Sequence, residues 1–298
     1  MKKIYYITAV FATLFLVGCG DGIDLPGVNV ETDLNKIPLP DNNVNLEQVE
    51  LKPSTEPMLH EGLHTEEDFQ RIRDKKAAGE EPWVSAYQLL VESQFSQKTA
   101  DTYPTEWIKR GISGDENYMN AARGATIVYQ QALRWKIEQD DEYAAKAVEN
   151  LNKWVQTCVG VTGNTNLSLA AGLYGYEFAI AGELLRDYGG WDRADFAAFQ
   201  NWLLKVFYPA NDDFLKRHHD TNALHYWANW CLCNIAAKMA IGIVTDRRDI
   251  YNEGIDHLQT GDTNGRLRRA IYHDYAPDYN FAQWQESGRD QGHTLMCV

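Results

Sequence analysis

Residues 216–230 are unusually rich in side chains that can bind a ligand or transfer a proton. This segment contains three His, two Asn and two Trp beside the cationic pair Lys216 and Arg217. A single His is most often structural, but three of them beside cations and indoles are hard to explain by packing alone. We therefore expect this segment to supply hydrogen bonds and proton transfer in a binding site. The candidates in it are His218, His219, His225, Trp227 and Asn229.

Two further polar segments could supply groups to the same site. Asn164 and Asn166 directly precede a predicted helix over residues 167–187, and helix capping is the simpler interpretation of this pair considered alone. Residues 266–275 contain three Arg and two Tyr. Such a cluster in an acidic protein is a natural docking site for a carboxylate, although a solvated amphipathic face is the alternative. The candidates in it are Arg266, Arg269, Tyr272 and Tyr275.

Residues 283–295 form a fourth polar segment, which fits neither a helical nor a strand period. Arg289 and His293 are four residues apart, so a helix that begins near Asp290 could turn both toward one space. The alternative is a polar loop in which Ser287 or Asp290 is an ordinary N-cap.

The four segments together offer amide and imidazole donors, Arg charges and Tyr hydroxyls. They contain no convincing pair of carboxylates for glycoside hydrolysis, because Asp220, Asp274, Glu286 and Asp290 each lie beside Arg or His. A set of this kind suits β-elimination from a uronic acid instead. Donors from Asn, His or Arg neutralise the carboxylate and stabilise the enolate-like intermediate that forms when the C5 proton leaves. A Tyr or His takes that proton, and a Tyr can pass one to the leaving glycosidic oxygen.

The composition limits the class of protein. The chain has 298 residues, of which 44% are hydrophobic, enough for one large domain. Its net charge of −14 and its lack of a basic run argue against DNA or RNA as a partner. Motifs typical of dinucleotide, phosphate or zinc sites do not occur, so we expect neither a cofactor nor a metal. Nine Trp and sixteen Tyr suit stacking on sugar rings, and the expected partner is an acidic polysaccharide.

The N-terminus resembles a bacterial lipoprotein signal. Lys2 and Lys3 precede an apolar run over residues 4–17, and residues 16–19 resemble a lipobox that ends at Cys19. We expect residues 1–18 to be the signal peptide, Cys19 the lipidated residue, residues 19–57 a flexible tether and residues 58–298 the folded domain. The expected location is the periplasm or cell surface, anchored to the outer membrane through the lipid alone.

Apolar periodicity predicts an all-α fold of helical hairpins. Thr65 and Asp68 have capping-box spacing, and Pro82 suits the first turn of the second helix. Residues 97–116 and 210–220 are predicted loops, and short strands are expected only near 270–282. Cys231 and Cys233 lie two apart in a helical pattern, so they should be buried free thiols and not a metal pair. The predicted helices cover residues 65–79, 117–139, 142–158, 167–187, 192–207, 222–244 and 247–258, with one more beginning at 82.

An array of this kind is either an open solenoid or a closed α/α toroid, the interior of which is enclosed. The apolar helix at 231–244 favours the toroid. On the helix 222–244, His225 and Asn229 would share one face.

Residues 62–69, 132–135, 226–230 and 286–293 resemble the alginate lyase superfamily, in particular polysaccharide lyase family 38 of the Bacteroidetes. The resemblance covers residues 58–298. It implies an α/α toroid of the chondroitin AC and alginate lyase type and β-elimination of a polyuronate such as alginate or glucuronan. Members continue with further helices beyond the last motif, so we expect C-terminal helices to be missing here.

The resemblance also implies roles for individual residues. Asn166 or Asn164 is the neutralising amide, and Tyr275 or Tyr272 is the base and also the acid. One of His218, His219 and His225 is the active-site His. Arg269 or Arg266 binds a carboxylate with Arg289, and His293 is the neighbour of Arg289 at a helix start. In related lyases the His directly follows Asn, whereas two residues separate Asn222 from His225 here, which favours His219. The alternatives are a non-catalytic glycan-binding lipoprotein and an α/α-toroid glycoside hydrolase that uses Asp220 or Asp290.

Overall fold

The computed structural model describes residues 60, 62–274, 282–287 and 289–295. The predicted signal peptide, Cys19, the tether and Tyr275 lie outside these residues, and Tyr272 is described only as a strand residue. Within the described ranges, no helix is long and apolar enough to cross a membrane.

The described chain is mostly helical, as the periodicity predicts, and it adds two small strand pairs. Thr65 caps the first helix through a capping box with Asp68, as the spacing predicts. In chain order the elements are α1 (Glu66–Ala77), α2 (Trp83–Glu92), β1 (Trp107–Arg110), α3 (Tyr118–Glu138), α4 (Asp141–Thr157), β2 (Gly160–Gly163), α5 (Leu167–Leu184), α6 (Arg193–Val206), α7 (Tyr208–Arg217), α8 (Ala228–Val244), α9 (Arg248–Thr260), α10 (Leu267–Ala270), β3 (Ile271–Asp274), β4 (Ala282–Trp284) and α11 (Gln291–Leu295).

Helices α3, α5 and α8 run in the same direction, so that they begin at one end of the fold. Strand β1 leads into α3 and β2 leads into α5, and the two strands pair in parallel. Near the start of α5, Gly172 lies directly against Cys233 near the start of α8. At the other end, Arg186 donates to the Val244 carbonyl at 2.7 Å. Loops that precede these three helices therefore meet on one side of the molecule.

The pair β1–β2 corrects the prediction of an uninterrupted loop over residues 97–116. Each strand has only four residues, and β2 begins and ends with Gly, so neither shows the alternation that marks a longer strand. The register joins Trp107 to Gly160 and Arg110 to Gly163. The strands near 270–282 are confirmed as the antiparallel pair β3–β4.

The predicted polar loop over residues 210–220 is also wrong, because α7 occupies most of it. Pro209 lies in the first turn of α7, where its fixed φ is favourable, and does not simply end the preceding helix. Ion pairs four residues apart, such as Lys216–Asp212 at 2.8 Å, stabilise a helix that has little apolar periodicity.

Helix α8 begins at Ala228 and not at residue 222. The Asn222 side chain accepts from the Leu224 backbone at 2.8 Å, which holds the preceding residues in a turn. The predicted shared helical face of His225 and Asn229 is therefore wrong.

The core joins α4, α5 and α6 through aromatic rings. Phe178 on α5 is fully buried, with its ring centroid 5.4 Å from Trp154 and 5.2 Å from Trp202. Cys158, Cys231 and Cys233 are buried free thiols, as expected.

Candidate active site

An unusual turn positions His219. Three consecutive residues after α7, His218, His219 and Asp220, have φ values of 49°, 53° and 59°. The left-handed region costs a non-glycine residue on the order of 1 kcal/mol or more, and such costs concentrate at functional sites. The turn is held by the Thr221 hydroxyl, which donates to the His218 carbonyl at 2.6 Å.

The turn brings the His219 ring to the start of α5. Its Nε2 lies 3.1 Å from the Ser168 hydroxyl, and the ring also hydrogen-bonds the backbone of Thr165. Asn166, the N-cap residue of α5, donates through its backbone and side-chain nitrogens to Asn164 Oδ1, both at 2.9 Å. The structure thus places His219 at the start of α5, beside the loop that holds Asn164 and Asn166, although His219 follows these two residues by more than fifty positions in sequence.

The surroundings of His219 favour its neutral imidazole. Partial burial lowers its pKa below the usual 6.5, and the Arg217 charge acts in the same direction. The Asp213 charge and the hydrogen bond to Thr165 oppose this shift. A neutral ring can accept a proton or donate one hydrogen bond, and either property is useful beside a substrate carboxylate.

Tyr226 also lies at the candidate site, although the sequence alone gave it no role beyond its place in the motif at residues 226–230. Its ring is half-buried, with its centroid 5.7 Å from His219 in an edge-on arrangement and 4.7 Å from Trp230. His225 packs on the same ring at 4.9 Å and is exposed. The available signal in the sequence was the position of Tyr226 between three His and two Trp.

Three other candidates near α8 differ in what they contact. His218 is buried with its Nε2 3.7 Å from Cys231 Sγ, and burial lowers its pKa. Asn229 is buried in the first turn of α8, and its Oδ1 accepts from the Trp230 backbone at 2.9 Å. Trp227 is 50% exposed at the N-cap of α8. Of these, Trp227 alone presents a large surface to a ligand.

Arg266 and Arg269 are directed toward the backbone that ends α9. Arg266 Nε donates to the Gln259 carbonyl at 2.9 Å, and Arg269 donates to the Asp262 carbonyl. Their segment still adjoins the site, because Asn264 donates to the Tyr226 carbonyl at 2.8 Å. Among the described residues, these contacts of Arg266 and Arg269 do not extend to His219.

Arg289 and His293 lie in the polar segment for which helix capping was the alternative interpretation, and Asp290 caps the start of α11 there. Asp290 Oδ1 accepts from the His293 backbone at 2.8 Å, and Asp290 Oδ2 lies 2.6 Å from His293 Nδ1. Arg289 lies 3.4 Å from Glu286, the carboxylate of which is fully buried. The segment nevertheless adjoins the site, because the first N–H of α8, from Ala228, donates to Gln285 Oε1 at 2.7 Å.

Strand β1 contributes two neighbours that sequence reasoning left without a role. Gly111 has a φ of +81°, and a Cβ built on it would lie 1.8 Å from Asn164 Oδ1. The side chain of Arg110 lies over the Tyr118 ring at the start of α3, 4.7 Å from its centroid. The parallel pair β1–β2 therefore sets the environment of Asn164.

A cavity of about 280 Å³ lies away from this cluster, among residues such as His64, Lys136, Glu183 and Asp187. Lys136 and Glu183 are near the C-terminal ends of α3 and α5, so the cavity is at the opposite end of these helices. The cavity is therefore separate from the cluster of His219, Asn164 and Asn166. In the part of the chain that the structure describes, no three His, Cys, Asp or Glu residues are grouped to hold a metal ion.

Comparison with known protein families gives one assignment. Residues 72–270 match the sequence model of the alginate lyase family. The matched range includes α3, α5, α8 and all of the cluster around His219. Among curated proteins, no match to the chain was found.

Proposed function

The chain belongs to the alginate lyase family and is a polysaccharide lyase, and from that premise we propose that it cleaves a polyuronate, alginate or glucuronan, by β-elimination. The observation that supports this mechanism is the contact of His219 with the start of α5 beside Asn164 and Asn166. Amide and imidazole donors are the groups that neutralise a uronate carboxylate.

The proposed reaction removes the C5 proton and breaks the C4–O glycosidic bond. Asn164, Asn166 and His219 bind the carboxylate and stabilise the negative charge that develops as the C5–H bond breaks. Tyr275 or Tyr272 accepts the C5 proton, and a Tyr returns a proton to the leaving oxygen. The electron pair of the C5–H bond forms the C4=C5 double bond of the product. Water is not consumed, so the product differs from that of hydrolysis by its double bond.

The electrostatics at this end of the fold support an anionic substrate. Helices α3, α5 and α8 all begin here, and helix N-termini favour negative charge. This local field opposes the unfavourable net charge of −14. We therefore expect activity to fall with rising ionic strength.

The test is the appearance of unsaturated, ultraviolet-absorbing ends on defined polyuronates. We expect His219→Gln to lower kcat/KM by about 100-fold or more. His225→Gln is the matched control, because His225 is exposed and packs edge-on against the same Tyr226 ring. Tyr275→Phe and Tyr272→Phe then identify the base.

Three results would contradict the proposal in different ways. New reducing ends without double bonds indicate a hydrolase, and retention on immobilised polyuronate without product indicates a glycan-binding protein. Full activity of both Tyr variants and of His219→Gln rejects the assigned mechanism.

We also propose that Cys19 anchors the protein by a lipid at the outer membrane, facing the periplasm or the cell surface. The proposal rests on the lipobox-like residues 16–19. Metabolic labelling with a fatty acid should mark the wild-type protein and not Cys19→Ala. Equal labelling of both rejects it.

A further inference from the structure

The guanidinium of Arg110 has an unusual environment. It lies over the Tyr118 ring and within electrostatic range of Tyr174 on α5 and Cys233 on α8. It is therefore held among the three helices whose N-termini meet at the candidate site. Tyr174 and Cys233 are themselves buried, so this environment is poorly hydrated.

This cation forms no ion pair among the described residues, and the contact described for its guanidinium is the face of the Tyr118 ring. Its Nη1 is buried without a hydrogen-bond acceptor, and none of the ion pairs of the described chain includes Arg110. A guanidinium nitrogen that is removed from water normally has an acceptor or an anionic partner, because the loss of its hydration costs free energy. The nearby Lys109 illustrates the usual arrangement, since its ammonium pairs with Asp115 at 2.7 Å.

The backbone of Arg110 adjoins the amide pair of the candidate site. Arg110 is the register partner of Gly163, the residue directly before Asn164. The next residue, Gly111, lies directly against the Asn164 carboxamide. A planar carboxylate bound at Asn164 would therefore have a fork of N–H donors close by, and Arg is the side chain that pairs with carboxylates through two parallel bonds.

We propose that Arg110 binds a carboxylate of the substrate and that the missing counter-charge is supplied by the sugar acid itself. This inference rests on the proposed function and names the residue that recognises the charge of the uronate. In the absence of substrate the unpaired guanidinium destabilises the fold, and substrate binding compensates it.

The first measurement compares substitutions at neighbouring positions of β1. Arg110→Gln should raise KM for a polyuronate about 10- to 100-fold, the range for a lost charged hydrogen bond, with a smaller effect on kcat. Arg110→Lys should recover only part of this loss, because an ammonium cannot form the fork. Lys109→Gln removes a cation of an exposed ion pair and should change KM by less than about threefold.

The second measurement uses binding in the His219→Gln background by calorimetry. The probes are a saturated uronate tetrasaccharide and the same tetrasaccharide with its carboxyl groups reduced to alcohols. Arg110→Gln should weaken binding of the charged probe and leave binding of the neutral probe unchanged. Equal weakening of both probes, or of neither, overturns the inference.

Thermal unfolding tests whether Arg110 serves to bind substrate or to stabilise the fold. Arg110→Met removes an uncompensated charge and keeps most of the apolar stem, so its Tm should equal or exceed that of the wild type. A fall of more than about 5 °C assigns Arg110 a structural role and contradicts the inference. If wild-type protein forms no unsaturated product but Arg110 still discriminates between the two probes, the proposed function fails and the inference stands.

Discussion

The carboxamide of Asn164 lies directly against the Cα of Gly111, where a Cβ would approach its Oδ1 to 1.8 Å. Gly111 is therefore the surface that supports the amide pair Asn164–Asn166 from the side of β1. The contact joins a loop before α3 to a loop before α5.

Gly111→Ala should displace Asn164 and lower kcat/KM on a polyuronate by about 100-fold, the cost of a misplacement near 1 Å. Gly114→Ala is the control, because Gly114 also has a positive φ, +76°, but nothing lies within 4 Å of its Cβ position. Both variants should lose similar stability from backbone strain, about 1 kcal/mol. Steady-state kinetics and thermal unfolding of the two variants provide the comparison. Equal activity of Gly111→Ala and Gly114→Ala would falsify a role for Asn164 placement.

The pH profile of kcat/KM should report His219. Because burial lowers its pKa below 6.5, the ring stays neutral until the pH falls below that value. If neutral His219 is the active form, activity should decline on the acid side at a midpoint under pH 6.5. A midpoint above pH 6.5 that persists in His219→Gln would assign the limb to another group.

Glu177 should make stability depend on pH. Burial raises the pKa of its carboxyl to about 8, opposed by a hydrogen bond from Thr126, against 4.5 for an ordinary Glu. The folded state then holds a proton that the unfolded state has released, so the free energy of unfolding decreases as pH rises from 4.5 to about 8. Glu177→Gln should raise Tm more at pH 8 than at pH 5, roughly the two ends of this window.

The control for Glu177 is the exposed Glu92 at the end of α2. Glu92→Gln should shift Tm equally at both pH values. A Glu177→Gln variant that behaves in the same way would show that Glu177 is ionised in the folded protein.

Phe178→Ala should lower the free energy of unfolding by about 3–5 kcal/mol, because it opens a cavity beneath Trp154 and Trp202. Tyr103→Ala is the surface control, since Tyr103 is 75% exposed and should change stability by no more than about 0.5 kcal/mol. Chemical denaturation measures both. A loss under about 1 kcal/mol for Phe178→Ala would mean that α4, α5 and α6 do not share this core.

The helices with long apolar periods were predictable, and so were many of their ends, although α8 begins at Ala228 and not at residue 222. The capping box of Thr65 and Asp68 formed as its spacing predicts, and α3 begins and ends within one residue of the predicted bounds. Helix α7 was missed because ion pairs such as Arg217–Asp213, at 2.6 Å, stabilise it in place of an apolar stripe.

The candidate site was predictable in its residue types and not in its grouping. Asn164, Asn166 and His219 could be named from local composition, but Ser168 could not, because an isolated Ser in a helix carries no signal. Arg110 also carried no signal in the sequence. That its Nη1 is buried without a hydrogen-bond acceptor is apparent only from the positions of the surrounding residues. Arg266 and Arg269 had a strong compositional signal, yet their described contacts are with the backbone that ends α9.

The sequence by itself determined the helical class, the likeness to polysaccharide lyases and the stock of Asn, His, Arg and Tyr side chains, because periodicity and composition are local properties. The tertiary structure decided that α3, α5 and α8 begin together and that His219 reaches Ser168 across 51 residues of chain. It also decided that Asn164 rests on Gly111. These relations depend on a left-handed turn and on a parallel pairing of two four-residue strands. The strand pairing joins distant segments, and the turn is useful only where it meets Ser168, so no local pattern encodes these relations.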